Sequence, residues 1–131
     1  AMNGLPENQD LTKLIHWSFQ KDLHMLAICH GPAALLSANL NKDGEFLYSG
    51  YSMSVFPDSM DKQTPMIGYM PGQLTYQFGS KLSELGVNIV NKKADKTCHQ
   101  DRKLITGASP QAANDFGILS ATALLRSKNL L

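Results

Sequence analysis

The run His24-Met25-Leu26-Ala27-Ile28-Cys29-His30-Gly31-Pro32-Ala33-Ala34-Leu35-Leu36 decides how the rest of the chain is read. Residues 24–29 are an apolar stretch too short for a helix of its own, so they read as a buried strand. Pro32 suits the first position of a helix that continues through Ala33, Ala34, Leu35, Leu36 and Ala38. A residue that ends a strand and turns sharply into a helix presents its side chain at the helix N-terminus, the geometry of a nucleophile elbow. Cys29 holds that place, and Gly31 is expected to relieve crowding in the turn. The partial positive charge of the helix end favours thiolate, the reactive form of cysteine. Free amides of the same turn are placed to stabilise an oxyanion. A small buried apolar residue at a strand end is the other common fate of a cysteine, and the spacing leaves both open. His30 is in the same way either an orienting imidazole or a polar turn residue. Asp58 and Asp61 follow in the next loop, and either is within reach of an imidazole. An aspartate after a loop proline is also an ordinary turn former.

Outward from the elbow, strands and helices alternate. Residues 6–21 read as a helix, with Pro6 in its first turn, Glu7 and Asp10 at its positive end, and Leu11, Leu14, Ile15 and Ser18 as its apolar stripe. A polar turn is expected at 41–45, one or two strands around Gly50 within 46–56, and a loop over 57–71. Helical spacing marks 72–85, with Gly86 as its stop. Strands are expected at 87–90 and 104–106, with a short one at 97–99 inside the polar connector 92–101. Ser109-Pro110 reads as cap and first residue of a helix to about residue 126. The alternation predicts an α/β fold with a parallel sheet covered by helices. About four short strands would leave its faces and edges poorly covered, so the chain reads as the later part of a longer domain.

Composition narrows the function classes. The chain has 131 residues, 43% hydrophobic and 18% charged, with a net charge of +1. That balance gives no field to draw nucleic acid or an anionic membrane, and no apolar run approaches the roughly 20 residues that span a bilayer. The first residues lack the basic start and apolar core of a signal peptide. Two cysteines, Cys29 and Cys98, are not a disulfide framework, and a reducing cytoplasm is the expected compartment. His16 and His24 fall in no motif and are expected at the surface or as satisfied core residues, and Trp17 and Tyr76 are expected to pack. Tyr51 and Tyr69 are either packing residues or pocket walls near the cysteine.

Read together, Cys29-His30-Gly31-Pro32-Ala33-Ala34, Phe56-Pro57-Asp58-Ser59-Met60-Asp61-Lys62-Gln63-Thr64-Pro65, Ile67-Gly68-Tyr69-Met70-Pro71-Gly72 and Asp101-Arg102-Lys103-Leu104-Ile105-Thr106-Gly107 with Ser109-Pro110 resemble the PfpI-type superfamily of glutamine-amidotransferase-like folds. The closest match is its HchA branch of heat-shock chaperone, glyoxalase III and deglycase proteins, and Gly4-Leu5-Pro6-Glu7 also fits. The Cys-His-Gly run is widespread in the superfamily, whereas the Asp-Lys-Gln-Thr-Pro and Gly-Tyr-Met-Pro-Gly runs are much more specific. The resemblance implies a three-layer α/β sandwich with a mostly parallel, flavodoxin-like sheet, incomplete at its N-terminus. Residues 1–131 would form the C-terminal part of a single domain.

The resemblance also implies a site. Cys29 matches the family's nucleophile, His30 its adjacent histidine and Asp61 the carboxylate paired with it; Asp58 does not match. The implied activity is conversion of methylglyoxal to lactate without glutathione. Removal of early glycation adducts and a holding-chaperone role are further implied activities. The implied partners are a small aldehyde, unfolded proteins and a second copy in a homodimer, with no membrane and no specific nucleic acid. The family's assisting glutamate, its Gly-Gly-His-Gly loop and its metal ligands, two histidines and a glutamate, fall before Ala1. No cofactor or metal ligand is therefore expected here, and the chain alone is expected to be inactive. Cys98-His99 lacks a second ligand pair and is not expected to bind zinc. Two other readings stand beside the enzyme. One is a chaperone that needs no catalysis, for which Met53, Met60, Met66 and Met70 would be an adaptable surface, although the sequence favours their filling core gaps. The other is a cysteine peptidase or amidotransferase-like hydrolase, weakened because His99 is the only later histidine.

Overall fold

The computed structural model describes residues 2–41 and 44–131. Helix α1 spans Gln9–Gln20 and strand β1 spans Met25–Ile28. A 3-10 helix, Gly31–Asn39, follows the elbow. Then come β2 (Ser52–Met53), the single turn α2 (Asp58–Asp61), α3 (Phe78–Glu84) and β3 (Asn88–Ile89). Strands β4 (Cys98–Asp101) and β5 (Leu104–Gly107) lead to a 3-10 turn, Pro110–Ala112, and α4 (Ala113–Ser127).

The main sheet has the order β1-β5-β4. β1 runs parallel to β5, with Met25 opposite Leu104 and Ile28 opposite Gly107. β4 and β5 form an antiparallel hairpin, with Cys98 opposite Gly107. A second, parallel pair joins β2 to β3. Two side chains tie β2 to the main sheet: Thr106 Oγ1 accepts from Ser54 N at 2.9 Å, and Asp101 Oδ2 accepts from Ser52 N at 2.8 Å. All four residues of β5 are buried. Alternating side chains permit that only when both sheet faces are covered. Helix α4 packs on β5, β1 and β4, while the 3-10 helix packs on β1 and carries α1 and α3 against it. This is the expected α/β sandwich. Ile15, Leu35, Met53, Val55, Phe78, Leu82 and Leu104 are among the residues of its core. No helix among the described residues is long and apolar enough to cross a membrane.

Local differences from the sequence reading have identifiable causes. Helix α1 starts at Gln9, because the Asn8 side chain accepts from Leu11 N at 2.8 Å and so caps it there. Pro6 lies in the turn before it. Its buried face centres on Thr12 and Ile15; Thr12 Oγ1 donates to Ser37 O at 2.8 Å. Leu14 is consequently 59% exposed, and Trp17, expected to pack, is 52% exposed. Between 46 and 51 no strand forms. Phe46, Tyr48 and Tyr51 all bury and meet edge to face, which an alternating strand would not allow. The expected loop 57–71 contains α2, and the expected helix 72–85 is shortened to α3. Asp58 sets that later start by taking the first free N–H groups of α3. Gly86, at φ +91°, ends α3 as expected. The polar turn expected at 41–45 lies partly outside the described residues, at 42–43.

Candidate active site

Cys29 follows the last residue of β1 and has φ +61°. A side chain in this left-handed region costs about 1–2 kcal/mol, so the position is strained. Two backbone bonds hold it: Cys29 N donates to Gly107 O at 2.8 Å, and Cys29 O accepts from Phe56 N at 2.9 Å. The strain sits on the cysteine rather than on Gly31. A Cβ built on Gly31 would meet only Ala27 Cβ, at an ordinary 3.5 Å. The expectation that Gly31 relieves crowding is thereby corrected. The Cys29 N–H is committed to Gly107, so any oxyanion donor at this turn has to come from a later amide.

His30 is held from four sides. Its ring stacks on Phe56 with centroids 4.5 Å apart, and Phe78 lies tilted at 5.6 Å. Nδ1 lies 3.3 Å from Cys29 Sγ, and Nε2 lies 2.8 Å from Asp61 Oδ1. With Nε2–H donating to Asp61, Nδ1 faces the sulfur, as acceptor from a thiol or, once protonated, as donor to a thiolate. Burial pulls the imidazole down, but the hydrogen bonds to Cys29 and Asp61 and their charges outweigh it. The His30 pKa stands above the ordinary histidine value. Asp61 is 5% exposed, and its Oδ2 has no hydrogen-bond partner among the described residues.

The structure thus brings together Cys29, His30 and Asp61 and leaves Asp58 elsewhere. Asp58 turns away from the imidazole and accepts from Gly79 N, Ser80 N and Ser80 Oγ. A cavity of about 390 Å³ opens at His30, walled by Met2, Asn3, Tyr69, Met70 and Leu74. This size falls within the range of small-molecule sites. Tyr69 is therefore a pocket wall, whereas Tyr51 lies under the Arg102 guanidinium, 3.3 Å from its ring centroid. A second cavity of about 400 Å³, between Pro6, Leu36, Tyr76 and Lys81, touches none of the three clustered residues. Phe56 and Phe78, which grip the imidazole, entered the sequence reading only as the first residue of a motif and as part of a helical stripe, with no role at His30. Their one signal is adjacency, Phe56 to the Pro-Asp run and Phe78 to the Gly-Ser pair that starts α3.

His16 and the second cysteine lie away from this cluster. His16 Nε2 sits 3.1 Å from Ala38 O, a packing contact. Cys98 Sγ donates to Ala112 O at 3.6 Å, and burial, with Asp115 nearby, pushes its thiol pKa up. Both cysteines are free. Among the described residues no group of three His, Cys, Asp or Glu side chains comes together as a metal site would need.

No family model matches the chain. The protein/nucleic acid deglycase HchA of Escherichia coli K12 is 47% identical over 125 residues, 95% of this chain and 43% of the relative. Its counterpart in the O9:H4 strain HS is 46% identical over the same shares. The chain spans less than half the length of these curated relatives. Among solved structures, the 24 kDa Rapid Encystment Protein of Francisella tularensis superposes with a TM-score of 0.75 at 25% identity, covering 94% of this chain and 53% of that one. Glyoxalase III of Candida albicans superposes with a TM-score of 0.69 at 24% identity over 93% and 52%, a likeness of fold. The chain is similar to these HchA deglycases along 95% of its own length, in line with the resemblance its motifs carry.

Proposed function

We propose that this HchA-branch chain carries the nucleophilic part of a carbonyl-processing enzyme of the glyoxalase III type, acting on methylglyoxal or on early glycation adducts. The observation that carries the reading is the relay from the strained Cys29 thiol, through His30, to the buried Asp61. Deglycase activity has further support in the names of the curated relatives.

In this reading the Cys29 thiolate adds to the aldehyde carbon of methylglyoxal, and the alkoxide formed takes a proton. The hydrogen on that carbon then leaves as a proton and is delivered to the neighbouring carbon, while the hydroxyl proton of the first carbon passes to the neighbouring oxygen, giving a lactoyl thioester on Cys29. Water hydrolyses the thioester to lactate and frees the thiol. The sum is methylglyoxal plus water giving lactic acid, with no external oxidant or reductant. His30 holds the proton that Cys29 gives up, and Asp61 keeps the ring turned so that Nδ1 meets the sulfur. Residues 1–131 act as the C-terminal part of one domain, and the assisting glutamate belongs to its other part. The test is lactate formation from methylglyoxal by the protein carrying this chain. Cys29→Ser should abolish it, and undiminished turnover in that variant sinks the proposal. Measured turnover by the 131-residue chain alone would refute its dependence on the other part.

A holding-chaperone role is the second reading, and the loop beside the cavity favours it. Met66 is 84% exposed and Tyr69 74%, with Ile67 between them also exposed, whereas Met53 is fully buried and only fills the core. Suppression of aggregation that survives Cys29→Ser would separate this role from catalysis.

A further inference from the structure

We infer that Asp58 is a positioning residue for the Cys29–His30 pair, acting through α2 and α3 rather than by contact with either group. The inference rests on the reading of Cys29, His30 and Asp61 as the reactive set. Asp61 makes one side-chain hydrogen bond, to His30, and its Oδ2 has no partner among the described residues. The place of its carboxylate is therefore dictated by the backbone of α2. That backbone is a single turn, too short to hold itself in solution. Its first residue, Asp58, supplies the missing anchor. The Asp58 carboxylate accepts from Gly79 N at 3.0 Å, Ser80 N at 2.8 Å and Ser80 Oγ at 2.7 Å. These bonds staple α2 to the first turn of α3.

The staple acts on both flanks of the imidazole. Asp61 lies one turn beyond Asp58 on α2 and bonds His30 Nε2. Phe78, the first residue of α3, precedes Gly79 and packs against the ring of His30. One carboxylate thus sets the distance between the group that charges His30 and a wall that confines it. Gly79 reports how closely the two elements meet. A Cβ there would lie 3.0 Å from Asp58 Oδ1 and 3.2 Å from Cγ, tighter than a real Cβ tolerates without a shift.

The test is an NMR titration of the His30 imidazole in the full protein that carries this chain, with the rate of Cys29 alkylation as a second readout. Asp58→Asn keeps the side-chain shape but replaces one acceptor by a donor facing Ser80 N. It should move the His30 midpoint downward, in the direction of Asp61→Asn and by less, and slow alkylation of Cys29 without changing that of Cys98. Gly79→Ala, which pushes on the same staple from the other side, should do the same. Unfolding by urea, followed in parallel, reports the loss of helix capping alone. A drop in stability with an unmoved His30 midpoint in both variants overturns the inference and leaves Asp58 as a helix cap. An unmoved midpoint in Asp61→Asn instead overturns the reading of the reactive set, whatever Asp58 does.

Discussion

The two cysteines flank the same residue and live in opposite circumstances. Gly107 of β5 stands opposite Ile28 of β1 on one side and opposite Cys98 of β4 on the other, and Cys29 follows Ile28. Two strand spacings, roughly 9.6 Å, separate the outer strands there. That exceeds the ~7 Å limit for bridging two Cα atoms by a disulfide, so each thiol answers to its own surroundings. Cys98 lies in relaxed strand geometry, its sulfur turned to a backbone carbonyl and its pKa raised by burial. Cys29 lies past the end of its strand, backbone strained, with a histidine at its sulfur. Both thiols are half-buried, so any difference in reactivity between them is expected to come from the end of a strand and the neighbour it meets, not from exposure.

The strongest way to break that contrast is competitive alkylation. Iodoacetamide at neutral pH, followed by peptide mass mapping, should modify Cys29 at least about tenfold faster than Cys98. Equal rates would remove the distinction. The next lever is His30→Ala, which should slow Cys29 several-fold and leave Cys98 unchanged. A uniform fall in both rates would point to loosened folding instead.

A pH series sharpens the comparison further. The folded His30 pKa lies above the ordinary histidine value of 6.5. The stabilisation from its partners is thus fully present below that value and is lost as pH rises through the folded pKa. The stability difference between the chain and His30→Asn, measured by urea unfolding, should shrink over that window. Cys98, raised by burial, should need a higher pH than a free thiol before its alkylation accelerates.

The smallest effect is one of sign. Cys29→Gly removes a left-handed penalty of about 1–2 kcal/mol, against about 0.5–1 kcal/mol of extra chain entropy, so thermal unfolding should rise slightly or stay level. Cys98→Gly, inside a strand, should cost about 1 kcal/mol.

The sequence made the elbow legible because a strand, a turn and a proline-led helix leave a local pattern. That pattern made Cys29 and His30 candidates and left their roles open, and the resemblance implied those roles. Choosing between Asp58 and Asp61 was beyond local pattern, since both sit in one short polar run three residues apart. The resemblance pointed to Asp61, and the fold shows the physical difference: one carboxylate meets α3, the other His30. The long helix expected over 72–85 failed for a related reason. Its apolar spacing was real, but its start is fixed by a carboxylate some twenty residues earlier. Leu14 and Trp17 look like packing residues in sequence and lie exposed, because Thr12 and its bond to Ser37 turn α1 another way.

The strained backbone at Cys29 also bears on how this position would change over generations. Every residue except glycine carries a similar burden at φ +61°, with asparagine carrying the least of the others. Random substitution, left to stability alone, would settle there on glycine. A thiol that persists at such a site persists against a steady thermodynamic drift. Lineages that have lost the proposed chemistry should therefore show glycine or asparagine at this turn before any other part of the elbow decays.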